Sequence, residues 1–325
     1  MSHRRLRPAT PTAPATRLLG MGHYRPANVI TNQDLIDRGV DTDDEWIRTR
    51  VGITERRFAN PDETVVDMAE SAGSKAIAAA GVPASEIDLV LVATCTMTTP
   101  VPAAAPEVAT RLGIPAPGAY DVNSGCSGFV YALNVASSAI LTGSARNVLV
   151  IASERFSGWL DFTDRSTCII LADGAGAAVV GPSHEPGFGP VVWGSEGSGA
   201  GDVTIDKASR TFRQQGQAVY RWATSAMVAP VLEACERAGI TPADLAAFIP
   251  HQANLRIIES LARKLNAPQA IIARDIETSG NTSAASIPIA MSRLIESGRI
   301  TSGDPVLLAG FGAGLAYAAQ VAICP

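Results

Sequence analysis

Short runs of consecutive apolar residues punctuate the chain at Leu89-Val90-Leu91-Val92, Val148-Leu149-Val150-Ile151 and Val306-Leu307-Leu308-Ala309. Four apolar side chains in a row put apolar groups on both faces of an extended strand, so these runs predict strands of a sheet covered on both sides. Ala177-Ala178-Val179-Val180, closed by Gly181-Pro182, reads the same way. Gly174-Ala175-Gly176 before it predicts a turn with close backbone approach, because a dinucleotide fingerprint needs a strand before its glycines and a helix after them. Alanine-rich stretches at Val65–Ala80 and Ala223–Ala238 predict helices between the strands, and the alternation predicts an α/β fold. No apolar run approaches the roughly 18 residues of a membrane helix.

The pattern repeats. Ala80-Gly81-Val82 resembles Ala238-Gly239-Ile240, 158 positions later, and Arg111-Leu112-Gly113 resembles Lys264-Leu265-Asn266 at 153. Cys126 aligns with Asn281 and Gly143 with Gly298, both at 155, and Gly174-Ala175-Gly176-Ala177 aligns with Gly312-Ala313-Gly314-Leu315 at 138. Matches in one order predict two related βα halves. The expected organisation is an extension at 1–17, a first half at 18–182 and a second at 183–325, with the division near Pro182–Pro190.

At 325 residues the length fits two units of about 150. Met1 to Arg17 holds four arginines, three prolines and no acid, which predicts a disordered extension rather than a secretory signal, and hence a soluble, cytoplasmic protein. A net charge of −5 gives no global field for nucleic acid. The five cysteines, at 95, 126, 168, 235 and 324, have no CxxC spacing, so neither a metal site nor a redox pair is expected. Cys95, Cys168, Cys235 and Cys324 read as small buried apolar residues.

Cys126 differs. It lies in Asn123-Ser124-Gly125-Cys126-Ser127-Gly128-Phe129, before an apolar stretch suited to a helix. At a helix start the unpaired N–H groups favour a thiolate, so a lowered thiol pKa is expected. Asn281 is expected to begin the matching helix and meet it near the interface of the halves. Among four histidines, His251 follows the apolar run Phe248-Ile249-Pro250, at a strand end where α/β sheets bind ligands.

Together, the segment around Cys126, Pro250-His251-Gln252-Ala253-Asn254-Leu255-Arg256, Gly280-Asn281-Thr282-Ser283-Ala284-Ala285-Ser286 and Phe311-Gly312-Ala313-Gly314 resemble β-ketoacyl-acyl carrier protein synthase III, a condensing enzyme of the thiolase superfamily, from about Leu18 onward. The resemblance implies a thiolase-like fold of duplicated halves in five layers, α-β-α-β-α. It implies a transferase in which Cys126 takes the acyl group of an acyl-CoA primer. The N–H groups of Cys126 and Ala313 would form the oxyanion hole, and His251 and Asn281 would stabilise the enolate of decarboxylating malonyl-acyl carrier protein. An amide cannot act as a base, so Asn281 argues against a degradative thiolase, which would need a second cysteine, and against the extending synthases, which typically carry a second histidine. No cofactor or metal is implied.

By position, the resemblance further assigns Trp46, Arg50, Arg165 and Asn254 to CoA, Val101 and Phe311 to the acyl pocket, and Arg221, Arg256, Arg263 and Lys264 to an acidic carrier protein. It implies a homodimer, while the charge balance and the short apolar runs lead us to expect no nucleic-acid or membrane partner. Val101 stands where straight-chain enzymes commonly have phenylalanine, and Ser124-Gly125 replaces the usual two alanines; both point to a primer broader than acetyl, or to polyketide priming. Two further readings use the same residues: acyl transfer to an alcohol or amine, and a noncatalytic subunit that binds a carrier protein.

Overall fold

The apolar runs become central strands of two five-stranded sheets in the computed structural model, which describes residues 13–325. The first sheet holds β1 (Ala15–Tyr24), β2 (Leu89–Ala93), β3 (Gly118–Val122), β4 (Val148–Arg155) and β5 (Asp173–Ser183), in the order β1-β5-β4-β2-β3. The second holds β6 (Val192–Gly194), β7 (Ala247–Pro250), β8 (Ile271–Ile272), β9 (Pro305–Phe311) and β10 (Tyr317–Ile323), in the order β6-β10-β9-β7-β8. The orders correspond strand for strand. Directions do too: β2 and β7 are parallel to both neighbours, whereas β5 and β10 are antiparallel to both of theirs.

Continuous apolar runs are needed because each central strand serves two cores. Along β4, Val148, Val150 and Ala152 face the space between the sheets, while Leu149 and Ile151 face the outer helices. Along β9, Val306 and Leu308 point inward and Leu307, Ala309 and Phe311 outward. Each fully buried Leu, Ile or Val contributes roughly 1.5–3 kcal/mol of transfer free energy, so a polar residue within either run would weaken one of two interfaces.

Helices α1 (Asp44–Arg50), α2 (Val65–Ala80), α3 (Ala104–Arg111), α4 (Gly128–Leu141), α5 (Gly216–Ala226), α6 (Val228–Arg237), α7 (Leu255–Leu265) and α8 (Ser286–Glu296) complete the scaffold. Helices α2 and α3 cover the first sheet, α6 and α7 cover the second, and α4 and α8 lie between the sheets. The layers are therefore α-β-α-β-α. Helix α2 begins where Thr64 and Asp67 form a capping box and ends at left-handed Gly81, as the alanine-rich stretch predicted.

Four expectations change. The stretch Ala223–Ala238 belongs to two helices separated at Met227, because Pro230 has no N–H to offer the Ala226 carbonyl and its ring crowds that group. Gly174 and Gly176 lie inside β5, not in a turn; their backbone approaches α8 rather than a loop. The boundary at 17/18 falls within β1, whose Ala15, Thr16 and Arg17 pair with Ser183, Pro182 and Gly181; the rest of the expected extension, residues 1–12, lies outside the described residues. The register of the repeat also shifts by three at the site.

That shift has a clear geometric basis. Gly125 and Ser283 both have positive φ, 50° and 52°, and each opens a 3₁₀ turn leading into an inner helix, α4 or α8. Just before them, the Asn123 side-chain oxygen accepts from the Gly125 N–H at 3.3 Å, and that of Asn281 accepts from the Ser283 N–H at 2.8 Å. Asn281 therefore corresponds to Asn123, and Cys126 to Ala284. The alignment of Gly174–Ala177 with Gly312–Leu315 likewise fails, since the first lies in β5 and the second follows β9. The turns ending at Gly81 and Gly239, Gly113 and Asn266, and Gly143 and Gly298 do correspond, all with positive φ.

Candidate active site

Strand β3 delivers the chain to the turn Gly125–Ser127, which puts Cys126 at the inner end of α4 and between the halves. The 312–313 segment after β9 presses on it. A Cβ at Gly312 would lie 2.8 Å from the Cys126 Cβ and 3.0 Å from Sγ, so only glycine permits this approach. Ala313 sits against Gly125: a Cβ at 125 would lie 3.4 Å from the Ala313 nitrogen.

One segment, 281–286, reaches all the central groups. The Ser283 hydroxyl is 3.4 Å from Cys126 Sγ. The Asn281 side-chain oxygen is occupied by the Ser283 N–H, which leaves its NH₂ group as the free end. Ser286 Oγ lies 2.7 Å from His251 Nδ1 and accepts from the Gln252 N–H at 3.2 Å. A Ser286 hydroxyl that accepts from the Gln252 N–H still has its one proton to give to Nδ1, and in that tautomer Nε2 carries the ring hydrogen. Phe311 packs edge-on against the imidazole, with centroids 5.3 Å apart. In that tautomer His251 and Asn281 both present donors.

Cys126, His251 and Asn281 line one cavity of about 620 Å³, together with Trp46, Arg50, Asn254, Arg221, Arg256 and Phe311. Asn254 caps α7 by accepting from the Arg256 N–H at 2.9 Å, and its NH₂ donates to the Arg50 carbonyl at 3.1 Å. Arg165 stacks its guanidinium over the Trp46 ring at 5.2 Å and donates to the Asp41 carbonyl at 2.8 Å. Arg165 itself is not part of the cavity wall. Arg256 lies over the Tyr220 ring at 5.3 Å, at the cavity rim. Arg263 is exposed on the last turn of α7, and neighbouring Lys264 donates to the Thr224 carbonyl of α5 at 2.5 Å. None of Arg221, Arg256, Arg263 and Lys264 forms an ion pair among the described residues. Val101 is 79% exposed and lies away from this cavity.

The electrostatics correct one expectation. Burial pushes the Cys126 thiol up to about 12, with the Glu154 carboxylate adding to the rise; the Ser283 hydroxyl and the Cys126 N–H oppose it only partly. Burial penalises the lone anion and so opposes the help that a helix start gives a thiolate. Burial alone drives His251 down to about 3, so its ring is neutral at physiological pH. Cys95 is half-buried rather than fully buried, and burial holds its thiol well above the usual range.

Glu154, Ser283 and Ser286 escaped the reading of the sequence. Glu154 ends the apolar run of β4 and is 0% exposed, receiving Thr96 Oγ1 at 2.6 Å, Thr94 Oγ1 at 3.2 Å and the Cys95 N–H at 3.1 Å. A carboxylate near the carboxyl end of a buried central strand, where ligands collect, was the available signal. Among the described residues, no group of three or more His, Cys, Asp or Glu side chains is arranged to hold a metal ion, and no helix is long and apolar enough to cross a membrane.

Comparison with known proteins gives a consistent picture. The family 3-oxoacyl-(acyl-carrier-protein) synthase III matches residues 120–197, and its C-terminal family matches residues 235–323. The chain is 53% identical over 313 residues to β-ketoacyl-(acyl-carrier-protein) synthase III 4 of Streptomyces coelicolor, covering 95% of this chain and 99% of the relative. Among solved structures it resembles a priming β-ketosynthase from a polyketide biosynthetic pathway, with a TM-score of 0.94, 42% identity, and coverage of 100% and 99%. The 3-oxoacyl-(acyl-carrier-protein) synthase III of Aquifex aeolicus superposes with a TM-score of 0.91 at 41% identity, covering 95% of this chain and all of that one.

Proposed function

Because the chain belongs to the 3-oxoacyl-(acyl-carrier-protein) synthase III family, we propose that it catalyses the decarboxylative condensation of an acyl-CoA primer with malonyl-acyl carrier protein, using Cys126, His251 and Asn281. Cys126 Sγ attacks the thioester carbonyl, and the oxyanion is received by the N–H groups of Cys126 and Ala313. CoA leaves. Malonyl-acyl carrier protein then places its thioester oxygen against the Nε2–H of His251 and the NH₂ of Asn281. As carbon dioxide departs, these donors stabilise the enolate, whose carbon attacks the acyl group and frees Cys126. The observation that carries this reading is the 281–286 segment, which orients the amide, the imidazole and the sulfur around one cavity.

Trp46, Arg50 and Asn254 on the cavity wall, with Arg165 on Trp46, suit a CoA nucleotide at the mouth, where a base would part the stacked guanidinium and indole. Phe311 would border the acyl group. Exposed Val101, together with exposed Tyr120 on the open edge strand β3, supports a homodimer in which Val101 reaches the partner's acyl pocket. The product initiates fatty acid or polyketide synthesis, with a primer broader than acetyl.

Intact-mass measurement after incubation with a panel of acyl-CoAs tests the reading. Wild type is expected to gain acyl adducts from several primers, Cys126→Ala none, and the acylated enzyme to release carbon dioxide from malonyl-acyl carrier protein. An unlabelled wild type would overturn it, and labelling confined to acetyl would reject the broad primer.

A further inference from the structure

We propose that Ser283 and Glu154 relay the thiol proton of Cys126, so that the nucleophilic sulfur arises by internal proton transfer rather than by ionisation to solvent; the proposal rests on the condensation reading above. The relay is a continuous hydrogen-bonded line, with Cys126 Sγ 3.4 Å from Ser283 Oγ and Ser283 Oγ 3.1 Å from Glu154 Oε1. Ser283 has one proton and two acceptors. In one arrangement the thiol donates to Ser283 and Ser283 donates to the carboxylate. In the other, protonated Glu154 donates to Ser283, and Ser283 donates to the thiolate.

The two oxygens of Glu154 are not equivalent. Oε2 accepts from Thr94, Thr96 and the Cys95 N–H, whereas Oε1 has the Cys95 thiol at 3.3 Å and Ser283. Oε1 is therefore the oxygen placed to take a proton. Glu154 and Ser283 are both 0% exposed, and Glu154 forms no ion pair among the described residues. With Glu154 ionised, releasing the Cys126 proton to solvent would leave two negative charges in a buried site, and burial pushes the Glu154 carboxyl above its ordinary value, toward holding a proton. Moving the proton to Glu154 keeps the total at one. The other basic group in the cavity, His251, has Nδ1 held by Ser286 at 2.7 Å, and the condensation reading uses its Nε2 as a donor to the malonyl thioester.

In the step, the S–H bond breaks, Ser283 gains that proton and passes its own to Oε1. Sγ bonds to the thioester carbon, the bond to the CoA sulfur breaks, and Glu154 returns its proton through Ser283, so that CoA departs as the thiol.

The test measures the rate of Cys126 acylation by acetyl-CoA and by the longer acyl-CoAs in rapid-quench mass spectrometry, and its alkylation by iodoacetamide, from pH 6 to 10. The titratable groups facing the sulfur are Glu154, Cys95 and His251. Ser283→Ala and Glu154→Gln are each expected to slow both reactions about 10²-fold at neutral pH. The double variant should be no slower than either, and the deficit should shrink toward high pH, where hydroxide takes the proton. A Glu154 that acts only as a buried charge predicts the opposite sign, because its neutralisation lowers the thiol pKa and speeds the reaction. Glu154→Gln as fast as wild type or faster, or losses that multiply in the double variant, would overturn the relay. Should Glu154→Gln not fold, an unchanged Ser283→Ala decides the question in the same way. A wild type that no acyl-CoA labels would instead refute the condensation reading, whatever the iodoacetamide rates show.

Discussion

The buried imidazole of His251 has a consequence for both chemistry and stability. Its folded-state pKa, about 3, lies below the ordinary value of 6.5, so the unfolded chain takes up a proton that the native site refuses. This group therefore supports the fold fully above pH 6.5, and its contribution is lost as pH falls from 6.5 toward 3, amounting to roughly 2 kcal/mol at pH 5. Denaturant unfolding of wild type and His251→Asn at pH 7 and pH 5 should show a smaller acid loss in the variant. In decarboxylation of malonyl-acyl carrier protein by the wild type, no acid limb is expected near pH 6.5; a limb there that vanished in the variant would mean that the ring titrates in place. At this scale the sequence was informative where chemistry is rare, at one of four histidines and one glycine-flanked cysteine. It was silent on Ser283 and Ser286, because their roles come from partners more than 30 residues away and no local spacing encodes them.

Elements were legible where composition left one option. Helix α2 matches its predicted span because a capping box and a glycine bracket an alanine-rich stretch, and the strands β2, β4 and β9 contain their predicted runs. The register of the repeat was misread because Gly125 in one copy is replaced by Ser283 in the other, so conformation is shared while residue type is not. Packing between β5 and α8 shows what those matches cannot display. A Cβ at Gly176 would fall 2.7 Å from the Pro288 Cβ and 2.8 Å from the Ile289 nitrogen, too close for the helix to stay in place. Gly176→Ala should therefore destabilise by about 1–3 kcal/mol. Because α8 begins at Ser286, the partner of His251, the strain reaches the site, and condensation should fall more than Cys126 acylation. Thermal unfolding combined with separate assays of the two half-reactions would check both outcomes; unchanged stability would show that α8 accommodates the methyl.

At the scale of the molecule, duplication places the two inner helices back to back, and their starting turns meet, with the Ala284 Cβ 3.7 Å from where a Cβ of Gly128 would lie. A single cavity built from both halves follows, and its rim carries charge of one sign. Arg221 and Arg256 border the opening, and Arg263 and Lys264 continue along α7, on a chain whose net charge is −5. Positive charge localised at the mouth of an acidic protein attracts an acidic partner to that mouth and repels it elsewhere. Arg263 isolates this effect because it is exposed and does not border the cavity, so a small CoA ester should not sense its loss. Arg263→Glu is expected to raise the KM for malonyl-acyl carrier protein about fivefold at low salt while leaving the rate of acylation by acyl-CoA unchanged. The difference should narrow as ionic strength rises and the screening length falls to about 8 Å at 0.15 M. Steady-state measurements with each substrate across a salt series would check it. Equal shifts for both substrates, or a shift indifferent to salt, would assign Arg263 to the packing of α7 rather than to the partner.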